Sequence, residues 1–166
     1  SRHFRYVFSI EDAQVDLEQE ILYCQNYVRL FSNSYSQQMQ CETDIMPDAM
    51  GFKVPSISLL TFVENSVKYG RHPDQILKIQ IKVKLLQMEG SRILSITVAD
   101  NGAGFQPEVM EKINGGRVEA DYEGGVGIGN VLHRCRLLYG DKFSYGFYNA
   151  DGAVVDLFFE TEGSGE

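Results

Sequence analysis

The sequence predicts a two-layer α+β domain, in which helices cover one face of a mixed, mainly antiparallel sheet. Three observations predict this fold class. Apolar side chains recur at a 4-3-4-3-4 spacing over residues 17–35, which is typical of an amphipathic helix. Residues 78–86 alternate strictly between polar and apolar, as a strand with one buried face does. Segments 142–149 and 153–160 flank a tight turn and read as a β-hairpin, and helices packed on such strands form two layers around one core.

The first half of the chain supplies two helices and a short strand. Asp16 is a good N-cap, so the first helix is expected over residues 17 to about 37. An alternating segment at 39–45 fits a short strand. Pro55 is expected in the first turn of a second helix, which closes at Gly70.

The second half supplies the remaining strands and a third helix. A turn after the alternating strand predicts an antiparallel neighbour over residues 93–99. Gly-rich loops at 102–104 and 115–129 flank a short segment without a clear pattern. The third helix is expected over roughly 129–139 and ends before Gly140, a natural C-cap residue.

Composition excludes several classes of protein. The chain has 166 residues, of which 43% are hydrophobic, and can therefore fill the core of one domain. This excludes the possibility that the chain as a whole is an intrinsically disordered tail. It contains neither a run of 18 apolar residues nor the apolar stretch of a signal peptide. Three widely spaced cysteines read as reduced thiols rather than a disulfide framework. A net charge of −8 argues against binding to nucleic acid, although a small anionic ligand remains possible.

The first candidate for chemistry is Glu64-Asn65, followed by Lys68, on the polar side of the second helix. An amide oxygen suits Mg²⁺, and an adjacent carboxylate can take a proton. The alternative is that Glu64 and Lys68 form an ordinary surface pair one turn apart, and that Asn65 is simply solvated.

The second candidate is Asp100, followed by Gly102 and Gly104, directly after a predicted strand. The glycines would let the backbone approach a flat ring, while the carboxylate accepts a hydrogen bond from an amine. The alternative is an ordinary turn.

The third candidate is a run of glycines that includes Gly125 and Gly127, at the start of the third helix. Free N–H groups before a helix favour an anion, and the helix dipole adds to the effect. The run does not fit a dinucleotide fingerprint, because no clean βαβ unit starts there. A flexible linker is the alternative.

Taken together, the order and spacing of the three segments are specific. The chain resembles the ATP-binding catalytic domain of bacterial sensor histidine kinases, in the Bergerat-fold superfamily that includes gyrase B. Residues 63–70 resemble the N box, 100–104 the first glycine box and 125–130 the second. The run from Pro55 to Asn65 is similar to a subfamily with a membrane sensor and an atypical Phe-rich phosphoacceptor box. Leu17-Glu18-Gln19-Glu20 resembles that subfamily's Leu-x-x-Glu signature.

The resemblance implies a role for each candidate residue. Asn65 would ligate Mg²⁺, Glu64 would act as the base, and Asp100 would accept from the adenine amine. Gly102 and Gly104 would let the ring lie close. The remaining implied nucleotide contacts are Lys68, Gly125, Gly127 and Asn130. Residues 105–124 would form the lid over ATP.

The resemblance also implies a setting. Residues 1–15 would end the dimerisation and phosphoacceptor helix and its linker, 16–160 would form the catalytic domain, and 161–166 a flexible tail. ATP and Mg²⁺ are the implied cofactors. The implied partners are the phosphoacceptor domain of the same kinase, homodimeric at full length, and a response regulator receiver domain, on the cytoplasmic side of the bacterial membrane. His3 is rejected as the acceptor, which in this subfamily lies upstream.

Two other functions remain open. One is an ATP-driven conformational switch of the gyrase B kind, although only a hairpin and a tail follow the third helix. The other is a pseudo-kinase scaffold that binds nucleotide, or nothing, and signals by docking, although Glu64, Asn65 and Asp100 are intact.

Overall fold

Residues 14–34, 38–72, 74–116 and 127–162 are described in the computed structural model of this chain. The strands are β1 Gln14–Asp16, β2 Met39–Ile45, β3 Lys53–Pro55, β4 Leu77–Met88, β5 Ser91–Asp100, β6 Phe143–Asn149 and β7 Ala153–Glu162. The helices are α1 Leu17–Ser34, α2 Ser58–Tyr69, α3 Pro107–Asn114 and α4 Gly127–Tyr139, with single 3₁₀ turns at Pro47–Ala49 and Gly140–Lys142.

Five strands form the main sheet, in the order β2-β4-β5-β7-β6. Only the pairing of β2 with β4 is parallel; the other neighbours in this sheet are antiparallel. The long β4–β5 hairpin runs in register from Met88 opposite Ser91 to Ile79 opposite Asp100. Asp100 is therefore fixed at the end of a central strand, because its strand is hydrogen-bonded on both sides.

One face of this sheet carries the core. Strict alternation along β4 buries Ile79, Ile81 and Val83 and leaves Lys78 and Lys82 exposed on the opposite face. Buried side chains of α1, α2 and α4 join the same hydrophobic cluster. The predicted fold class, a two-layer α+β domain with helices on one face of a mixed sheet, is confirmed.

Two predicted helix starts need correction. Pro55 does not lie in the first turn of α2 but ends β3, where it pairs with Gln14 of β1. The helix begins at Ser58, because an acidic side chain of α1 supplies its cap, as described below. The third helix, α4, begins at Gly127 rather than 129 and ends at Tyr139, as predicted. The expected end of the first helix, at 35–37, lies outside the described residues.

Three elements had no prediction. β1 and β3 form a two-stranded antiparallel sheet, and α3 occupies the segment judged to be without pattern. The domain limits at 16 and 160 stay predictions; β1 begins at Gln14 and β7 runs to Glu162.

The cysteines are free thiols. Burial raises the pKa of Cys24, and burial together with Glu42 raises that of Cys41 to about 11. Over the described ranges, no helix is both long enough and apolar enough to cross a membrane.

Candidate functional site

A cavity of about 730 Å³ opens between α2, the end of β5, the start of α3 and the first residues of α4. Phe62, Val98 and Val155 supply apolar lining. Five of the residues predicted from the sequence also line it: Asn65, Lys68, Asp100, Gly104 and Gly127. Segments far apart in the chain thus contribute to one concave site.

Asp100 is held by three donors of the protein. Its Oδ1 accepts hydrogen bonds from the backbone N–H of Gly102 at 2.9 Å and of Ala153 at 3.1 Å. Its Oδ2 accepts a 2.6 Å hydrogen bond from the Oγ hydroxyl of Ser66, a buried residue of α2. A carboxylate has about four lone-pair sites. Three are therefore used by the protein, and one remains on Oδ2 for a donor in the cavity.

Two glycines let backbone segments meet around this carboxylate. A Cβ on Gly102 would lie 2.5 Å from the Cα of Gly70, the residue that ends α2. A Cβ on Gly152 would lie 2.1 Å from the carbonyl oxygen of Asp100. The first glycine box thus packs directly against both α2 and the β6–β7 turn, and any side chain at these positions would push the segments apart.

Asn149 holds the chain next to Gly104, the other glycine of the first glycine box. Its Oδ1 accepts from the N–H of Phe105 at 2.8 Å, and its Nδ2 donates to the Phe105 carbonyl at 3.0 Å. Gly104 has a φ of +84° and leaves no room for a Cβ beside Asn149. Only glycine adopts this conformation readily, so the sequence places it where the chain turns towards α3.

Residues of α2 and of the start of α4 also line the cavity. Asn65 and Lys68 lie near the C-terminal end of α2, and the Lys68 Nζ lies 5.8 Å from the centroid of the Tyr69 ring. Gly127 begins α4, and a Cβ there would meet the Thr61 methyl group at 2.9 Å. A cationic side chain and a helix N-terminus therefore face one space, which suits an anionic group.

Three predicted site residues lie away from the cavity lining, and one is not described. Glu64 is half-buried on α2 and lies near enough to Cys24 to raise the pKa of that thiol. Asn130 is exposed on α4, and Gly102 contacts Asp100 through its backbone N–H, which donates to Oδ1. Gly125 lies outside the described residues. The roles of these four, like those of the five residues that line the cavity, stay predictions.

The donor set restricts how a metal ion could bind. Within the part of the chain that the structure describes, no group of three or more His, Cys, Asp or Glu side chains is placed to hold one. Asn65 offers a single amide oxygen in the cavity. Mg²⁺ commonly takes few protein ligands and completes its shell with water and substrate phosphates. The Asn65 amide in this cavity therefore fits a magnesium ion whose other ligands are phosphate oxygens and water.

Sequence reasoning missed Ser66, Asn149 and Gly152. Each acts through a contact with a residue at least 34 positions away, which no local pattern records. The available signals were indirect. Ser66 follows Asn65, and Asn149 and Gly152 flank the predicted hairpin turn.

Comparison with known protein families identifies the family to which the domain around this cavity belongs. A family model described as "Histidine kinase-, DNA gyrase B-, and HSP90-like ATPase" matches residues 58–162, more than half of the chain. The chain belongs to this family. The matched range contains every described element of the cavity, from α2 to β7.

Curated relatives of this ATPase domain are named as sensor histidine kinases or sensor proteins. The sensor histidine kinase YpdA of Escherichia coli is 30% identical over 144 residues, which cover 85% of this chain and 24% of the relative. The sensor protein LytS of Streptococcus agalactiae serotype III is 28% identical over 134 residues, 78% of this chain and 22% of the relative. The chain thus spans about a quarter of the length of these proteins.

Solved structures share the fold of the ATPase domain. The catalytic domain of histidine kinase ThkA gives a TM-score of 0.51 at 18% identity, covering 90% of this chain and 93% of that domain. A histidine kinase domain from Erythrobacter litoralis EL346 gives a TM-score of 0.57 at 12% identity, covering 87% and 61%. The predicted family, a histidine kinase-type ATP-binding domain, is confirmed together with its fold.

Proposed function

We propose that this chain is the catalytic domain of a bacterial sensor histidine kinase, which transfers the γ-phosphoryl group of ATP to a histidine outside residues 1–166. That histidine would lie in the dimerisation and phosphoacceptor domain of the same protein, and a response regulator would receive the phosphoryl group next. The sensor kinases among the relatives support this proposal. We place the domain on the cytoplasmic side of the membrane in a homodimeric protein.

A single observation carries the proposal. Asp100, with one free acceptor position, and Asn65, with its amide, line one cavity together with the N-terminus of α4. The acceptor matches the exocyclic amine of adenine, and the other two features match the phosphates and their cation. A nucleoside triphosphate such as ATP carries both the base amine and the phosphates with their cation in one molecule.

Each predicted site residue would have its own role in phosphoryl transfer. A bond forms between a histidine nitrogen and the γ-phosphorus as the bond to the bridging oxygen breaks, so ADP leaves. Asn65 would hold Mg²⁺, which neutralises charge on the phosphates when it is bound. Lys68, Gly125, Gly127 and Asn130 would surround the phosphates.

Glu64 would take the proton of the attacking histidine. Glu64 is half-buried and adjoins Asn65, which lines the cavity. We therefore propose it as the base because this role follows from the resemblance to the family and because Glu64 is next in sequence to the proposed magnesium ligand.

Asn65→Ala should remove most of the magnesium dependence of ATP binding, because the variant loses the amide oxygen in the cavity. The measurement is calorimetric titration of ATP with and without Mg²⁺. Asn26→Ala is the matched control, since Asn26 is an exposed asparagine on the helix α1. An unchanged magnesium dependence in Asn65→Ala would show that Asn65 is an ordinary helix-surface residue.

The chain alone should hydrolyse ATP slowly, at least about a hundredfold below the median enzyme turnover of about 10 s⁻¹. The physical reason is that the histidine that attacks the phosphoryl group is absent from the proposed site. Phosphate release under saturating Mg·ATP measures this rate. Turnover close to the median would favour the ATP-driven conformational switch, and no nucleotide binding at all would favour the pseudo-kinase scaffold.

A further inference from the structure

Glu20 is a fully buried acidic side chain, with none of its surface exposed. It lies in the first turn of α1, outside the cavity. Its Oε1 accepts the backbone N–H of Ile57 at 2.9 Å, and its Oε2 accepts that of Leu60 at 3.0 Å. A carboxylate is costly to bury unless hydrogen bonds satisfy it, and here both oxygens are satisfied by the start of another helix.

The start of α2 has no cap of its own. The N-cap residue is Ile57, whose side chain cannot accept a hydrogen bond, and whose φ of 67° and ψ of 10° are left-handed. A β-branched residue is rarely found in this conformation, and such backbone persists only where its surroundings impose it. Glu20 supplies both the missing cap and a bond to the strained residue.

α4 contacts the same junction from the other side. The Arg134 guanidinium donates to the carbonyl oxygen of Ser56. Burial raises the pKa of Glu20, while its backbone hydrogen bonds and the charge of Arg134 act in the opposite direction. Residues 56–60, which we call the α2 junction, are thus held between α1 and α4.

The junction lies on the same helix as Asn65, which together with Lys68 and Gly127 forms what we call the phosphate end of the site. Asn65 follows Leu60 by five positions, or about 7.5 Å along the axis at a rise of about 1.5 Å per residue. A helix of this length moves as a unit, so a change at its start displaces Asn65.

The adenine end depends mainly on Asp100, which belongs to β5. Asp100 contacts α2 through the Ser66 hydroxyl, but its other two donors, the N–H groups of Gly102 and Ala153, lie outside α2.

We propose that Glu20 is a positioning residue for the nucleotide site: by capping the α2 junction from α1, it sets where α2 places Asn65 relative to Asp100. This inference rests on the proposed ATP-binding function. It also makes α1 the element through which a displacement elsewhere in the protein would reach the phosphate end of the site.

Glu20→Gln tests the proposal in the 166-residue chain. The amide keeps the shape and one acceptor oxygen, but its NH₂ group must face a backbone N–H. We expect the affinity for Mg·ATP to fall roughly tenfold, in line with the loss of a helix cap. The affinity for adenosine, which would contact only the Asp100 end, should fall by less than about threefold, because two of the three donors to Asp100 do not belong to α2. Glu18→Gln is the matched control, because Glu18 is exposed on the same turn, and it should change neither affinity.

A rescue variant separates positioning from general stability. Glycine adopts a left-handed conformation without strain, so Ile57→Gly in the Glu20→Gln background should recover most of the Mg·ATP affinity. If Glu20→Gln fails to fold in circular dichroism melts, Arg134→Lys takes its place. It removes the planar donor to Ser56 but keeps the charge, and should weaken Mg·ATP binding more than adenosine binding; an unchanged Mg·ATP affinity would overturn the inference.

Several outcomes would overturn the inference. Unchanged Mg·ATP affinity in Glu20→Gln would show that the cap does not position Asn65. An equal loss for adenosine and Mg·ATP, or no recovery with Ile57→Gly, would reduce Glu20 to a residue of general stability. Failure of the parent chain to bind ATP would instead overturn the proposed function, before any variant is compared.

Discussion

Gly152→Ala is expected to lower the free energy of unfolding by about 2–3 kcal/mol and to weaken ATP binding at least about tenfold. An added Cβ would lie 2.1 Å from the carbonyl oxygen of Asp100 and 2.7 Å from its Oδ1. The first contact is with backbone, which cannot move aside as the end of a flexible side chain can. The β6–β7 turn must therefore separate from β5, and the hydrogen bond from Ala153 to Asp100 is stretched.

Gly146→Ala is the matched control for this substitution. Gly146 lies in β6 of the same hairpin, and an added Cβ there meets nothing within 4 Å. Its effect on unfolding should stay within about 0.5 kcal/mol. Urea unfolding, compared at constant m-value, and ATP titration give both quantities. A Gly152→Ala variant as stable and as tightly binding as Gly146→Ala would show that the close approach at Asp100 is not needed.

The parts of the fold that were predicted correctly are those that carry their own local signal. The alternation of β4 and the apolar stripe of α1 each reflect burial of one face, so periodicity is enough to find them. The hairpin β6–β7 adds a turn of polar and small residues between its two strands.

The elements that were missed depend on partners distant in sequence. β1 and β3 have three residues each, too few for a pattern, and are strands only because they pair with each other. α2 starts at Ser58 because Glu20 caps it across about 40 residues, whereas Pro55 gave a misleading local signal.

The helix α3 did carry local signals. Pro107 stands at its first position, and the apolar residues on one face are Val109, Met110 and Ile113. However, it has only 8 residues, or about two turns.

The candidate site likewise combines residues that were predicted from the sequence with contacts that were not. Asn65, Lys68, Asp100, Gly104 and Gly127 were found because the spacing of three short segments resembles a known family, and these residues do line one cavity. The surroundings that prepare Asp100 were not found. They consist of backbone N–H groups and one hydroxyl delivered by packing, and such contacts leave no trace in residue order.

The preference of the site for one nucleotide base over another should depend on how many hydrogen bonds Asp100 already accepts from the protein. An ionised carboxylate only accepts, and the protein uses about three of its four lone-pair sites. The remaining one needs a donor. The base of ATP presents an amine at carbon 6, whereas the bases of ITP and GTP present a carbonyl oxygen there. Two acceptors facing each other cost about 1–3 kcal/mol, so the parent chain should prefer ATP to ITP and to GTP by at least about tenfold.

Asp100→Asn should remove this preference, and the structure indicates how. The two backbone N–H groups at Oδ1 still need an acceptor, so the amide oxygen should take that position and the NH₂ group the position of Oδ2. The Ser66 hydroxyl can rotate to accept one hydrogen of the NH₂ group, which leaves the other hydrogen directed at the base. The group that faces the ligand thereby changes from acceptor to donor. Affinity for ATP should fall about tenfold or more, while affinity for ITP should stay level or rise.

Competition titration of ATP against ITP and GTP, on the parent and two variants, measures the effect. ITP is the sharper probe, because its base differs from that of ATP at the carbon 6 edge and lacks the additional amine of GTP. Asp44→Asn removes the same charge from an exposed position on the edge strand β2 and should leave every affinity unchanged. Equal affinity of the parent for ATP and ITP would mean that Asp100 does not face the base, and the adenine end of the cavity would have to lie elsewhere.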